Sequence, residues 1–173
     1  MSIRAATPAD AAGIAQIYNY YTRNTIITFE ETPVSEGDIA GRIQQVLAAG
    51  RPWLVALQGG TTMGFAYAGE WKGRCAYRHT VEITIYLAQD AAGRGWGTRL
   101  YAALFAELRR SPVHVAIAGI ALPNPASIAL HEKFGMEKVA HFPEVGYKFG
   151  QWIDVGYWQV IMREGVGTGL ERE

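Results

Sequence analysis

The chain has 173 residues, 49% of them hydrophobic and 18% charged, which fits one globular domain with a substantial core and excludes a disordered chain. Lys+Arg and Asp+Glu balance at 16 each, so net charge offers no electrostatic case for nucleic acid or an anionic membrane. Cys75 is the single cysteine, which rules out an intrachain disulfide and a multi-thiolate metal cluster and fits a reducing cytoplasm. The opening MSIRAATPAD has no signal-like apolar core, and no apolar run is long enough to span a bilayer. A soluble, cytoplasmic protein is expected.

Ile3 to Ala6 reads as a short strand. Thr7-Pro8-Ala9-Asp10 starts a helix, with Thr7 as N-cap and Ile14, Ile17, Tyr18 and Tyr21 at helical spacing. After a loop containing Phe29-Glu30-Glu31, Ser35 caps a second helix whose apolar face is Ile39, Ile43, Val46 and Leu47. Trp53–Leu57 and Met63–Ala68 form a hairpin about Gly59-Gly60. A polar-aromatic loop, Trp71 to His79, leads into the β-branched strand Thr80–Leu87. A glycine-rich turn and a helix carrying Leu100, Leu104 and Leu108 follow.

Val113–Ile120 is a further strand, and Asn124–Phe134 a shorter helix with Gly135 at its C-cap. Lys138–Phe142 and Gly156–Met162 close the chain. Strands and helices alternate from Thr80 to Phe142, so neighbouring parallel strands are expected inside a mixed sheet. The fold class is α/β, with about six to seven strands and four helices. Residues 1–163 form the single domain, and Glu164 to Glu173 reads as a polar, disordered tail.

The richest stretch is Gly93-Arg94-Gly95-Trp96-Gly97-Thr98, between a strand and an amphipathic helix. Glycines allow positive φ and close backbone approach, and a helix start presents unpaired N–H groups, so the turn suits a pyrophosphate. A P-loop would need Lys-Ser/Thr after the last glycine, where Thr98-Arg99 stands. A dinucleotide fingerprint would open the fold's first strand with different glycine spacing. A tight turn without ligand is the remaining alternative.

Asn124-Pro125-x-Ser127-x-x-Leu130-His131-Glu132-Lys133-Phe134-Gly135 follows the next strand. Turn and second motif, in this order, resemble the GNAT acetyltransferase superfamily, with Ala92 where that family usually has Gln or Arg. Phe29-Glu30-Glu31, Tyr77-Arg78-His79-Thr80-Val81-Glu82 and the Val145 to Gln159 block resemble its phosphinothricin and methionine sulfoximine acetyltransferase group. The resemblance implies a GNAT fold, acetyl-CoA as co-substrate, a homodimer, no metal, and acetylation of a small amino-acid-like amine. An ordinary amino acid, a polyamine, a peptide N-terminus or a non-catalytic acetyl-CoA sensor are the alternatives.

A lysine-like amine, pKa about 10.4, is neutral only about once in 10³ molecules at pH 7, so acetyl transfer gains from a general base. Glu82, a carboxylate inside a strand, is the candidate; its alternative is a structural pair with Arg78 or His79. His131 stands where the superfamily often has a tyrosine proposed to protonate the leaving thiolate, and could equally be structural. Asn124 both caps its helix and could bind pantetheine. The resemblance also assigns backbone groups of Ile85, Tyr86 and Leu87 to pantetheine, the Leu87 N–H to the carbonyl oxygen, and Lys133 to phosphate. For the acceptor, Arg78 could clamp a carboxylate, Glu30 hold an ammonium, and Phe29, Cys75, Ala76 and Tyr77 line the pocket.

Overall fold

The computed structural model describes residues 2–162. The tail expected at Glu164 to Glu173 lies outside them.

A seven-stranded sheet in the order β1-β2-β3-β4-β5-β7-β6 organises the chain. Its strands are β1 (Ser2–Ala5), β2 (Trp53–Gln58), β3 (Thr61–Glu70), β4 (Thr80–Leu87), β5 (Val115–Ala121), β6 (Glu137–Lys148) and β7 (Gln151–Ile161). The helices are α1 (Ala11–Asn24), α2 (Glu36–Ala48), α3 (Trp96–Arg109) and α4 (Pro125–Lys133). No helix among the described residues is long and apolar enough to cross a membrane.

Local chemistry explains most boundaries. Ser35 Oγ accepts the Asp38 N–H at 3.0 Å while Asp38 Oδ2 accepts the Ser35 N–H at 2.9 Å, a reciprocal cap that starts α2. Gly59 and Gly60 both take positive φ, 57° and 84°, as a two-residue hairpin turn with matching twist requires. Leu100, Leu104 and Leu108 on α3 are fully buried, and Tyr101 and Phe105 widen that stripe. Ile39 and Ile43 are buried on α2, whereas Leu47, expected on the same face, is exposed.

Two cores result. Ile14, Ile39 and Ile43 meet Val55 and Phe65 on the α1/α2 face. Leu100, Leu104 and Phe105 meet Ala66, Ile83, Ala118 and Trp158 on the α3 face.

The expected run of parallel strands is reduced to one pair, β4 with β5. β7 pairs antiparallel with both β5 and β6 and so inserts between them. A long hairpin can do this because β6 and β7 extend well beyond the segments expected from the sequence.

Leu104→Ala should cost about 2–5 kcal/mol in urea denaturation, and removing the α2 cap with Ser35→Ala about 1 kcal/mol.

Candidate active site

β4 and β5 are in register only at Thr80/Val115, Val81/Ala116 and Glu82/Ile117, although both strands continue. Beyond Glu82 they part, and the inner edge of β4 is left without a strand partner. The Ala88 N–H bonds the Met63 carbonyl at 2.9 Å. By antiparallel alternation, Tyr86 and Thr84 then turn their backbone groups toward β3, while Leu87, Ile85 and Ile83 turn theirs into the opening. Tyr86 therefore contributes its ring rather than its backbone. The Leu87 carbonyl is met by Tyr21 Oη, which donates at 2.8 Å.

Two cavities follow the opening. One, of about 370 Å³, is lined by Ile85, Tyr86, Leu87, Gly93, Gly95, Gly97, Thr98 and Asn124. The other, of about 270 Å³, reaches Phe29, Glu82, Tyr101, Gly119 and His131. They share Ile27, Ile85, Tyr86, Asn124 and Ser127, so they form one passage from the glycine turn to Glu82.

At the turn end, Gly95 is the N-cap of α3 with φ 78°, and Gly93 has φ 70°. Both conformations favour glycine and aim the first-turn N–H groups of α3 outward. Gly97 permits a close approach: a Cβ there would lie 3.2 Å from the Leu130 side chain and 3.6 Å from that of Leu87. Lys133 Nζ donates to Thr98 Oγ1 at 3.3 Å, which places a cation beside this turn. Trp96 is the exception, because its side chain is core, and the Arg94 guanidinium donates back to the Asp90 carbonyl at 3.3 Å. Asn124 caps α4, its Oδ1 accepting the Ser127 N–H at 3.1 Å, and lines both cavities.

At the other end Glu82 is half-buried. Burial raises its carboxyl pKa above the ordinary carboxylate range, opposed by the charge of Lys72 and a hydrogen bond from the Gly119 N–H. Neither alternative partner is engaged with it. Arg78 donates to the Cys75 carbonyl at 3.3 Å, and the His79 ring bonds the Pro112 carbonyl at 2.7 Å.

His131 is buried. Its Nδ1 faces the Ser127 carbonyl at 2.7 Å, and a carbonyl only accepts, so Nδ1 carries the hydrogen. Nε2 then accepts from Tyr101 Oη at 2.7 Å. Burial lowers the His131 pKa, which keeps the ring neutral at pH 7. Both ring nitrogens are thus occupied, and His131 and Tyr101 line the inner cavity together.

The acceptor residues divide. Phe29 lines the inner cavity and packs on Gly146 of β6. Glu30 does not line it: its Oε1 accepts from Arg42 at 2.7 Å and from Tyr18 Oη at 3.2 Å. Cys75, Ala76, Tyr77 and Arg78 form an exposed 3-10 turn that borders neither cavity. Sequence reasoning missed Tyr101, Ser127, Gly119 and Lys72. Ser127 carried a signal, three residues after the capping Asn124. The others become visible only when strands and helices are placed together. Among the described residues no group of three or more His, Cys, Asp or Glu could hold a metal ion.

A sheet that opens at a carboxylate, with a glycine-capped helix start at the far end of the opening, suits an extended ligand that carries an anionic group at one end. The model of the acetyltransferase (GNAT) domain family matches residues 3–156, and the chain belongs to that family as an acetyl-CoA-dependent N-acetyltransferase. An L-amino acid N-acyltransferase of Escherichia coli strain K12 is 37% identical over 164 residues, 95% of each chain. A methionine sulfoximine/methionine sulfone acetyltransferase of Pseudomonas aeruginosa is 38% identical over 160 residues, 92% of this chain and 93% of that one. The solved phosphinothricin acetyltransferase of Sinorhizobium meliloti, in complex with acetyl-CoA, superposes with TM-score 0.91 at 37% identity, covering 97% of this chain and 91% of that one. A ribosomal-protein-alanine N-acetyltransferase from Brucella melitensis superposes with TM-score 0.90 at 38% identity, covering 93% and 99%.

Gly95→Ala forces an alanine into φ 78° at the helix cap. It should weaken acetyl-CoA binding by about tenfold in calorimetry, since such strain costs about 1 kcal/mol or more.

Proposed function

We propose that the chain acetylates the α-amino group of a small amino-acid analogue of the methionine sulfoximine, methionine sulfone or phosphinothricin kind, by direct transfer. One observation carries this reading: Glu82 stands where β4 and β5 part, at the inner end of the passage that begins at the glycine turn. The relatives' names support the acceptor class.

The residues present fit a coenzyme A thioester. The inner edge of β4, with Ile85 and Leu87, suits an amide-bearing arm that pairs as an added strand would. Gly93, Gly95, Gly97 and Thr98, with Lys133 beside them, suit its pyrophosphate. Bound there, acetyl-CoA supplies the activated acyl carbon.

Glu82 takes the proton that the acceptor ammonium must lose, directly or through water, and its burial makes it a better proton acceptor than an exposed carboxylate. The Leu87 N–H, turned into the opening, donates to the carbonyl oxygen as negative charge develops there. A leaving thiolate, with a cysteine-like pKa of about 8.5, needs little acid assistance. His131, neutral and hydrogen-bonded at both ring nitrogens, therefore shapes the cavity wall and does not give up a proton of its own.

The described chain works as one catalytic domain, and its single exposed thiol, Cys75, supports placing it in a reducing cytoplasm. A second copy covers the tip of the β6–β7 hairpin, where Val145, Tyr147, Phe149 and Trp152 are 60%, 55%, 58% and 63% exposed. Light scattering should give the mass of a dimer, and a monomer would overturn this assembly.

Acetyl-CoA turnover against methionine sulfoximine, methionine sulfone, phosphinothricin, ordinary amino acids, polyamines and a peptide N-terminus tests the acceptor. Amino-acid analogues should be acetylated; turnover of polyamines or peptides alone would sink that assignment. Because the base must be unprotonated, kcat/KM should fall as pH drops through the raised Glu82 pKa. Glu82→Gln should remove that acidic limb and lower kcat by about 10²–10⁴-fold with acetyl-CoA affinity nearly intact. An unchanged pH profile would take Glu82 out of the base role.

A further inference from the structure

The loop between α1 and α2, residues 25–35, sends Ile27, Thr28 and Phe29 to the wall of the inner cavity that reaches Glu82. A loop has no ladder of its own, so its place depends on side chains that reach it from packed elements. On β6 the side chains alternate between faces. Val145 and Tyr147 are exposed, whereas Gly146 and Lys148 are buried on the opposite face, against this loop.

Each of the two takes one residue of the loop. A Cβ built on Gly146 would lie 2.7 and 2.8 Å from Cε2 and Cε1 of Phe29, and closer still to Cζ. The Phe29 ring therefore fills the space that a side chain at position 146 would need. Gly146 does not take a positive φ, so the close approach, and not the backbone, requires glycine there.

Lys148, 2% exposed, donates from Nζ to the Thr28 carbonyl at 2.7 Å, across 120 residues of sequence. The same Nζ lies 4.9 Å from the Phe149 ring centroid. Burying an ammonium costs stability, and an apolar side chain of similar length would avoid that cost. What the lysine adds is a donor fixed on a residue whose hydroxyl is also held, since Thr28 Oγ1 lies 2.8 Å from Tyr18 Oη. Tyr18 in turn meets the Tyr86 ring edge-on at 5.1 Å between centroids, and Tyr86 lines the same cavity.

We propose that Gly146 and Lys148 are positioning residues for acetyl transfer: from the terminal hairpin they hold Phe29 and Thr28 as the wall against which the acceptor is set beside Glu82. Neither lines the cavity, so each acts through the loop. This rests on the acetyl-transfer reading above, and the test separates the two.

Lys148→Met keeps an apolar stem of similar length and removes the donor. With methionine sulfone as acceptor, it should raise the acceptor KM about tenfold and leave the acetyl-CoA KM within about twofold, because small misplacements at a reacting site are costly. A merely structural loss would lower kcat through the folded fraction and leave both KM values alone. Deuterium uptake at residues 25–31 should rise in this variant while that of α3 stays unchanged. Gly146→Ala should raise the acceptor KM about tenfold in the native background but less than about twofold in Phe29→Ala, where the ring no longer occupies the space.

An unchanged acceptor KM in Lys148→Met, with faster exchange at residues 25–31, overturns the role of Lys148. Equal effects of Gly146→Ala with and without the Phe29 ring overturn that of Gly146, and this cycle decides the proposal should Lys148→Met fail to fold. Acceptor and acetyl-CoA KM values that rise together in both variants overturn it as a whole. Turnover of another amine in place of methionine sulfone overturns the acceptor class alone, and that amine then serves in the comparison. Acetyl-CoA binding without turnover of any amine overturns the transfer reading itself.

Discussion

The separation of β4 from β5 after Glu82 is the constraint on which the rest of the site depends. Backbone N–H and C=O groups are obligatory hydrogen-bonding groups, and a sheet normally satisfies them strand by strand. Here the ladder stops inside the sheet, which creates an edge where folds ordinarily avoid one. The surrounding packing keeps it open. α3 lies across β3 and β4, α4 follows β5, and a Cβ at position 97 in the first turn of α3 would lie 3.2 Å from the Leu130 side chain, a tight contact. A larger residue there would push α3 from α4 and distort the mouth of the opening. The opening is thus walled by backbone along β4 and by side chains at its inner end.

Electrostatics sort the buried polar groups by role. Glu30 is tied through its Oε1 to Arg42 and Tyr18. Glu82 receives a single backbone N–H and a cation at the rim, too little to offset its burial, so its pKa rises. An under-paired carboxylate in a cavity wall costs stability and persists where it does chemistry. His131 shows the opposite solution: two hydrogen bonds and burial fix it as a neutral ring. The site therefore holds one carboxyl whose pKa is raised and one neutral imidazole whose Nε2 accepts the Tyr101 hydroxyl.

Much of this was legible in the sequence because it is local. Caps at Ser35 and Asn124, the Gly59-Gly60 turn, the leucine stripe of α3 and the glycine turn act within a few residues, and each lies where its spacing implied. Glu82 was legible as a charge inside a β-branched strand. Pairings at long range were not. Arg42 reaches Glu30 across a loop and an ion pair, so a carboxylate that reads as a free ligand is already occupied. Trp96 sits among the binding glycines, yet the helix phase turns its side chain to the core. Cys75 to Arg78 read as a pocket, but the 3-10 turn holds them at the surface. The insertion of β7 between β5 and β6 was equally hidden, because alternation of strands and helices carries no information on which edge a terminal hairpin joins.

The same division explains where selectivity resides. Enzymes named for phosphinothricin and for ribosomal-protein alanine superpose on this chain with TM-scores of 0.91 and 0.90, so the fold does not choose the acceptor. Nor do the backbone edge of β4 and the glycine-capped start of α3, because backbone groups change little when side chains are substituted. What remains is the uncovered half of the α1/α2 face. There Phe29, from the loop before α2, lines the inner cavity together with Glu82. An opening walled by strand backbone, with side chains from separate loops and helices at its inner end, lets one architecture change its lining without changing its sheet.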